Sequence, residues 1–139
     1  MKYEDIQIGN YVKLYADYEW RLYKVNRKTF SKEDEIKNMV PIWITPELLK
    51  MLGFRVVEDN YAIYEKYYNI AGVTCKNIVS YNFQTSTLKI TSIIENVDID
   101  EFNGSVKTLH KLQQLMKLCG CKPLEVNEKE LDNYLNGRR

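Results

Sequence analysis

Two residue types that build catalytic and metal sites are scarce in this sequence of 139 residues, which has one histidine and three cysteines. An odd, small number of cysteines argues against a disulfide framework. Structural zinc sites usually show Cys-x-x-Cys or His-x-x-x-His spacing, and neither pattern is present. Buried free cysteine more often packs as a small hydrophobic residue. We therefore expect no metal site and no cofactor, although four side chains could in principle supply zinc ligands: Cys75, His110, Cys119 and Cys121.

Motifs of the common catalytic and nucleotide-binding sites are also missing. The chain contains no Gly-x-Gly-x-x-Gly, Gly-x-x-x-x-Gly-Lys or Gly-x-Ser-x-Gly. His110 could serve as a general base, but no motif places a nucleophile beside it. We expect it to share a partly exposed polar side of a helix with Gln113, Gln114 and Lys117. The prediction is that this protein is not an enzyme, and a large polar cavity around His110 would overturn it.

The sequence has no large excess of either charge. It carries 20 basic and 19 acidic residues, with a net charge of +1. Nucleic-acid-binding proteins usually carry a basic excess, because phosphates must be neutralised. A local basic strip keeps nucleic-acid binding open as an alternative, and its residues are Lys13, Arg21, Lys24, Arg27 and Lys28.

Long hydrophobic runs are absent as well. No stretch approaches the roughly 20 apolar residues that span a membrane. The first residues, from Met1 to Ile6, lack the apolar run of a signal peptide. We therefore expect a cytoplasmic protein that does not bind a membrane.

The segment Pro41–Phe54 carries the clearest structural signal that is present. Thr45 can cap a helix with its hydroxyl group, and Pro46 suits the first helical position because no donor is needed there. Gly53 suits a left-handed stop, after which Phe54 can fold back onto the helix. Since each local feature agrees with the next, the segment predicts a short helix with two defined ends.

The patterns on either side of this helix predict one α+β domain over residues 1–139. Residues 1–44 are predicted to be rich in β-structure, with strands at 11–15 and 20–25 in a small curled antiparallel sheet, like a fragment of an SH3-like barrel. A solvated polar connection is expected from Asn26 to Asn38. Residues 45–139 are predicted to form a helix–antiparallel sheet–helix region, with two main helices packed on the sheet.

Strand patterns in the middle of the chain predict this mainly antiparallel sheet. They lie at 61–68, 73–83 and 87–94, with a short edge at 96–100. Asn103-Gly104 is predicted to be a turn, after which Ser105 caps the next helix. That helix carries an apolar stripe at spacings of three and four, made of Val106, Leu109, Leu112, Leu115, Met116 and Cys119. Leu112→Ala is expected to cost about 2–5 kcal/mol and Gln114→Ala almost nothing. A last short helix is predicted from Asn127 through Leu135.

Tyrosine is the most overrepresented residue, with eleven in the chain. Tyr61, Tyr64, Tyr67 and Tyr68 fall on one predicted strand, so their rings must occupy both faces of the sheet. We expect Tyr61 and Tyr67 to fill the core. The remaining pair, Tyr64 and Tyr68, is then expected outside, where it lies under a terminal helix, stacks on a base or packs on a partner. The predicted partner-binding residues are Tyr64, Tyr68, His110 and Gln114.

Four segments of the chain resemble motifs of a known family. They are Ile8–Val12, Pro41–Phe54, Leu109–Leu115 and Pro123–Val126. They resemble motifs of small uncharacterised proteins of gut bacteria that are often encoded by prophages and other mobile elements. The chain differs from the family at Trp43, where the family has proline. The resemblance implies one compact α+β domain and a bacterial, phage-linked origin, and it supplies no catalytic residues.

The sequence therefore favours a non-enzymatic protein-interaction module that acts on a host or phage protein. The alternative is an accessory protein that binds nucleic acid with the basic and aromatic N-terminal sheet. A salt-sensitive gel shift would separate the second hypothesis from the first.

Overall fold

Two antiparallel sheets carry the β-structure of this protein, for which a computed structural model describes residues 1–58 and 60–137. The first sheet pairs two strands in a hairpin. The second has five strands in chain order, each antiparallel to its neighbours. The strands are β1 (Tyr11–Ala16) and β2 (Glu19–Lys24) in the first sheet, then β3 (Arg55–Val57), β4 (Tyr61–Ile70), β5 (Val73–Asn82), β6 (Thr87–Ile94) and β7 (Val97–Ser105). The α+β class predicted from the sequence is confirmed.

Four α-helices and two short 3-10 helices complete the described elements. They are the 3-10 helices Tyr3–Asp5 and Arg27–Ser31, then α1 (Glu33–Lys37), α2 (Pro46–Met51), α3 (Leu109–Leu118) and α4 (Glu128–Leu135). No helix in the described residues is long and apolar enough to cross a membrane.

Helix α2 has the two ends that its sequence predicts. The Thr45 hydroxyl oxygen accepts a hydrogen bond from the Leu48 amide at 3.1 Å. At the other end Gly53 has a φ of 94°, a left-handed conformation that glycine adopts at little cost. The chain then reverses, and the Phe54 amide donates to the Leu49 carbonyl at 2.9 Å. These bonds satisfy backbone groups that a helix of six residues would otherwise leave open.

The main hydrophobic core lies between one face of the second sheet and the helices α2, α3 and α4. Leu49 and Leu112 are fully buried in it, as are Val79 of β5 and Ile90 of β6. Leu131 brings α4 into the same core. The apolar faces of α2 and α3 therefore close over the sheet, as their spacing predicted.

The polar segment after β2 does not form the solvated connection that the sequence suggested. It folds into the 3-10 helix and α1, and their buried residues Thr29 and Ile36 face inward. Ile36 joins Val12 and Met39 in a second, smaller core. The prediction failed because most residues of this segment are polar or charged, and only two of the residues in its helices, Thr29 and Ile36, are buried. The first sheet has two strands in the described residues, so its likeness to an SH3-like barrel is not confirmed.

The end of the second sheet also differs from the prediction, because β7 continues through the expected turn at Asn103-Gly104. Gly104 lies opposite Leu88 within the ladder. A Cβ atom at Gly104 would lie 2.9 Å from the Phe102 ring, so glycine here leaves room for an aromatic side chain. Helix α3 accordingly begins at Leu109, and Val106 precedes it.

Side chains of α4 satisfy the outer edge of β2. Asp132 accepts a hydrogen bond from the Leu22 amide at 3.3 Å, and Asn136 bonds to both backbone groups of Trp20. On the other side of the hairpin, Lys13 and Val40 form a β-bridge. Both edges of the first sheet are thus covered at these positions.

Candidate interaction surface

The hairpins β4–β5 and β6–β7 extend beyond the helices that cover the sheet. One row of facing residues, Tyr68, Cys75, Ile94 and Val97, crosses all four strands on the helix side. None of them belongs to the main core. The last row of sheet residues that packs against the main core lies four positions earlier in β4, at Tyr64. The far half of each hairpin therefore lies outside the main core, although Cys75 in this row is itself buried.

Aliphatic side chains at this end are exposed to solvent. Ile70 is 59% exposed and Val97 60%, while Ile94 and Ile99 are 39% and 41% exposed. Because strand residues two positions apart share a face, all four lie on the helix side together with half-buried Tyr68. We call these five residues, Tyr68, Ile70, Ile94, Val97 and Ile99, the hairpin patch.

Two tight turns hold the hairpin patch in register. Ile70 and Val73 face each other across a two-residue turn, in which Ala71 and Gly72 have φ angles of 51° and 84°. The β6–β7 turn is built in the same way, with Glu95 and Asn96 at 50° and 66°. Two consecutive residues with positive φ match the twist of antiparallel strands and define which residues pair. The exposed side chains are therefore held in fixed positions on regular strands.

The next row of the sheet contains a buried polar pair, Asn77 and Ser92. The Asn77 side-chain amide donates to the Ser92 hydroxyl at 2.9 Å, and both residues are buried. A satisfied polar pair fixes the alignment of β5 and β6, because a shift would leave a buried donor unpaired.

Beyond Lys89 of β6, the β6–β7 hairpin carries only acidic charge. No lysine or arginine occurs between Ile90 and Val106. Four exposed acidic residues occur here: Glu95 and Glu101 border the patch, whereas Asp98 and Asp100 alternate with its residues and lie on the open face. Glu101 is the extra residue of a bulge, since Ile90 pairs with Phe102 and the next residue of β6 pairs with Asp100. The patch is thus apolar, and Glu95 and Glu101 form an acidic rim at its border.

The assignment of the β4 tyrosines to the two faces was wrong. Tyr64 points to the helix side and packs on Phe54, with 5.1 Å between the ring centroids. Tyr61 and Tyr67 lie on the opposite, open face and are 41% and 63% exposed. Alternation defined the two sets correctly, but it did not say which set faces the core. The small residue Ala62, fully buried, marks the inner set.

Tyr67 on the open face belongs to a small charged cluster. The Lys76 ammonium group lies 4.9 Å from the Tyr67 ring centroid and 3.1 Å from a Glu65 carboxylate oxygen. Interactions with Tyr67 and then Glu65 raise the pKa of Lys76.

His110 is buried rather than partly exposed. Its Nδ1 atom has no hydrogen-bond partner in the described residues. Burial lowers the pKa of His110, the positive charge of Lys111 lowers it further, and Asp5 partly offsets both. The side chain is therefore neutral near pH 7, inside the protein and away from the hairpin patch.

The two glutamines of α3 hold the N-terminal segment in place. The Gln114 amide donates to the Asp5 carbonyl at 2.9 Å and to the Asn10 side-chain oxygen at 2.8 Å. Gln113 accepts from the Tyr11 amide at 2.8 Å. The predicted solvent-facing polar side of α3 therefore faces the N-terminal segment at Gln113 and Gln114, so we now expect substitution of Gln114 to reduce stability.

The predicted basic strip is divided between different surfaces. Lys13 and Lys24 share one face of the first sheet, where Lys13 lies 4.1 Å from the Trp20 ring centroid. Arg21 lies on the opposite face and contacts Asp17 and Glu19 at 3.3 and 3.5 Å. Strand alternation separates these charges, while Arg27 and Lys28 are exposed on the 3-10 helix.

The thiols of Cys119 and Cys121 are kept in their protonated form. Burial raises the pKa of Cys121 to about 11 and also raises that of Cys119. Within residues 1–58 and 60–137, no group of three or more His, Cys, Asp or Glu side chains is arranged to hold a metal ion.

Comparison with known proteins gives no match. No family model, no curated protein and no solved structure matches this chain.

Proposed function

We propose that this protein is a non-enzymatic protein-interaction module that binds its partner through the hairpin patch. The observation that carries this proposal is the exposure of Ile70, Ile94, Val97 and Ile99 on one face of two regular hairpins. Contiguous exposed apolar side chains rimmed by polar residues are typical of protein-binding surfaces. Tyr68, one of the predicted partner-binding residues, lies within this patch.

The acidic rim indicates the chemistry of the partner. An apolar surface bordered by lysine or arginine would bury the aliphatic side chains and place positive charge opposite Glu95 and Glu101. The resemblance to proteins of mobile elements in gut bacteria supports a host or phage protein of the bacterial cytoplasm as this partner.

A capture experiment with paired variants tests the proposal. The double variant Val97→Asp/Ile99→Asp places two carboxylates in the hairpin patch. The control, Asn103→Asp/Ser105→Asp, adds the same two charges to the open face of the same strand. Tagged proteins are incubated in bacterial lysate, the captured proteins are identified, and each is then purified and titrated by calorimetry.

The expected result is a partner that the wild type and the control bind and the patch variant loses, with melting temperatures that stay comparable. A lysate that yields no reproducible partner, or a partner that the patch variant still binds, would contradict the proposal.

Nucleic-acid binding by the first sheet is the second candidate function. Tyr15 is 60% exposed, and it packs edge-on against Trp20 beside Lys13. Exposed aromatic rings next to lysine are typical of surfaces that stack on single-stranded bases. A low-salt gel shift with single-stranded RNA and DNA checks it, with Trp20→Ala as the variant. Absent binding, or binding that does not weaken with salt, excludes this function.

A further inference from the structure

Half of β4 has an unpaired edge. The short strand β3 pairs with Tyr61–Ile63 only, while β4 continues to Ile70. In the described part of the chain, no strand pairs with 64–70 on that side. Phe54, which lies between α2 and β3, is placed next to Tyr64 by the register of β3. The open length of the edge is therefore 65–69.

The backbone groups on this edge follow from the β4–β5 turn. In a hairpin with a two-residue turn, the residues that flank the turn exchange both backbone hydrogen bonds. These are Ile70 and Val73, so the even-numbered residues of β4 bond to β5. The amide and carbonyl groups of Glu65, Tyr67 and Asn69 consequently point away from β5, toward the open side.

Apart from the outer edge of the three-residue strand β3, the other edges of the two sheets are protected. The β7 edge has a bulge at Glu101 and carries Asp98 and Asp100, features that discourage pairing with another strand. The edges of the first sheet are bonded by α4 and by Val40. The 65–69 edge has neither a bulge nor a proline, and it is rich in tyrosine.

We infer that two copies of this protein pair through this edge, with β4 antiparallel to β4 of the second copy and Tyr67 on the two-fold axis. Tyr67 then faces Tyr67 of the second copy, and each Glu65 faces an Asn69. Both pairs exchange backbone hydrogen bonds, because odd-numbered residues point to the open side. The pairing gives six backbone hydrogen bonds and creates one continuous sheet of ten strands.

The side chains on both faces are complementary in this register. On the helix side, Lys66 faces Tyr68 of the second copy, a cation beside an aromatic ring. On the open face the carboxylate of Glu65 lies beside an amide, and two tyrosine rings meet at the axis.

Neighbouring registers are less favourable. Centring the pair on Lys66 places two ammonium groups opposite each other, and centring it on Glu65 places two carboxylates opposite each other. Centring it on Tyr68 leaves Glu65 facing the turn at Ala71. Only the Tyr67 register pairs the whole open length without opposing like charges.

The two-fold axis is perpendicular to the sheet, so both helical layers lie on the same side. The two hairpin patches then also face the same direction, next to each other. A dimer would therefore present two copies of the patch, although its formation depends only on the β4 edge.

Two variants on the open face of β4 test the dimer. Tyr67→Asp places two carboxylates at the axis, and Tyr61→Asp introduces the same change where β4 is already paired with β3. Sedimentation over a range of concentrations is expected to show a dimer for the wild type and for Tyr61→Asp. Because two carboxylates would then oppose each other across the axis, Tyr67→Asp should raise the dissociation constant by at least about tenfold.

Residue-level hydrogen exchange supplies a second measurement on the wild type. The amides of Glu65, Tyr67 and Asn69 should exchange more slowly as the concentration rises through the dimer range. The amides of Lys66 and Tyr68, bonded to β5, should be protected at every concentration. A protein that stays monomeric, a dimer that tolerates Tyr67→Asp, or odd-numbered amides whose exchange does not respond to dimerisation would overturn the inference.

Discussion

The Asn136 side chain pairs with the backbone of Trp20 as a neighbouring strand would. Its oxygen accepts from the Trp20 amide at 2.8 Å, and its nitrogen donates to the Trp20 carbonyl at 2.7 Å. One side chain thereby satisfies both groups of an edge residue across 116 positions of sequence. Helix α4 thus attaches the first sheet to the rest of the protein.

We predict that Asn136→Ala destabilises the protein by about 1–3 kcal/mol, since it leaves two half-buried backbone groups without partners. Lys129→Ala, at an exposed position of the same helix, is the control and should change stability by less than about 0.5 kcal/mol. Urea unfolding followed by circular dichroism measures both. Equal midpoints would mean that the contact between α4 and β2 contributes nothing to stability.

Leu112 and Gln114 on α3 should both be sensitive, for different reasons. Leu112→Ala leaves a cavity in the main core and should cost about 2–5 kcal/mol. Gln114→Ala removes two hydrogen bonds to the N-terminal segment and should cost about 1–2 kcal/mol. Lys111→Ala, exposed on the same helix, is the reference variant. Thermal unfolding should rank the three variants in this order, and a Gln114→Ala protein as stable as wild type would contradict the role of this residue.

His110 should make the protein less stable in mild acid. Burial, followed by the charge of Lys111, lowers the pKa of His110 below its unfolded value of about 6.5. The unfolded chain therefore binds a proton more readily than the folded one, and the contribution of His110 is lost as the pH falls below about 6.5. In urea titrations at pH 7.5 and pH 5, His110→Gln should lose less stability than the wild type. An identical pH dependence in both proteins would exclude His110 as the source.

The contact between Gly104 and Phe102 can be tested by a double-mutant cycle. Gly104→Ala puts a methyl group 2.9 Å from the Phe102 ring and should cost about 1–3 kcal/mol through overpacking. Phe102→Leu removes the ring, so the same alanine should cost less in that background. Additive effects of the two substitutions would show that the ring does not limit residue 104.

The sequence predicted α2 well because its signals are local. Thr45, Pro46 and Gly53 each act on backbone groups within a few residues, so neighbouring positions contain the information needed. The strands from β4 to β6 were also predicted, since alternation is a property of one segment.

Other features depended on contacts that are distant in sequence. Which tyrosines of β4 face the core is decided by the burial of Ala62 beside Tyr81, not by the strand itself. The sequence suggested that Gly104 was a turn residue, whereas it lies within β7 and leaves room for the Phe102 ring. The polar face of α3 suggested solvent, whereas Gln114 bonds to residues more than one hundred positions earlier. The hairpin patch was anticipated only at Tyr68, because exposed isoleucine and valine in a strand pattern are indistinguishable from core residues.

The long separation between β1 and its partners affects the order of folding during synthesis. The Tyr11 backbone bonds to Gln113, and its hydroxyl group bonds to Glu128. A ribosome must therefore add more than one hundred residues after Tyr11 before these bonds can form. An isolated two-stranded hairpin is at best marginally stable in water. The N-terminal quarter of the nascent chain consequently waits for α3 and α4 to emerge, and its consolidation is a late event that protease digestion of stalled nascent chains would detect.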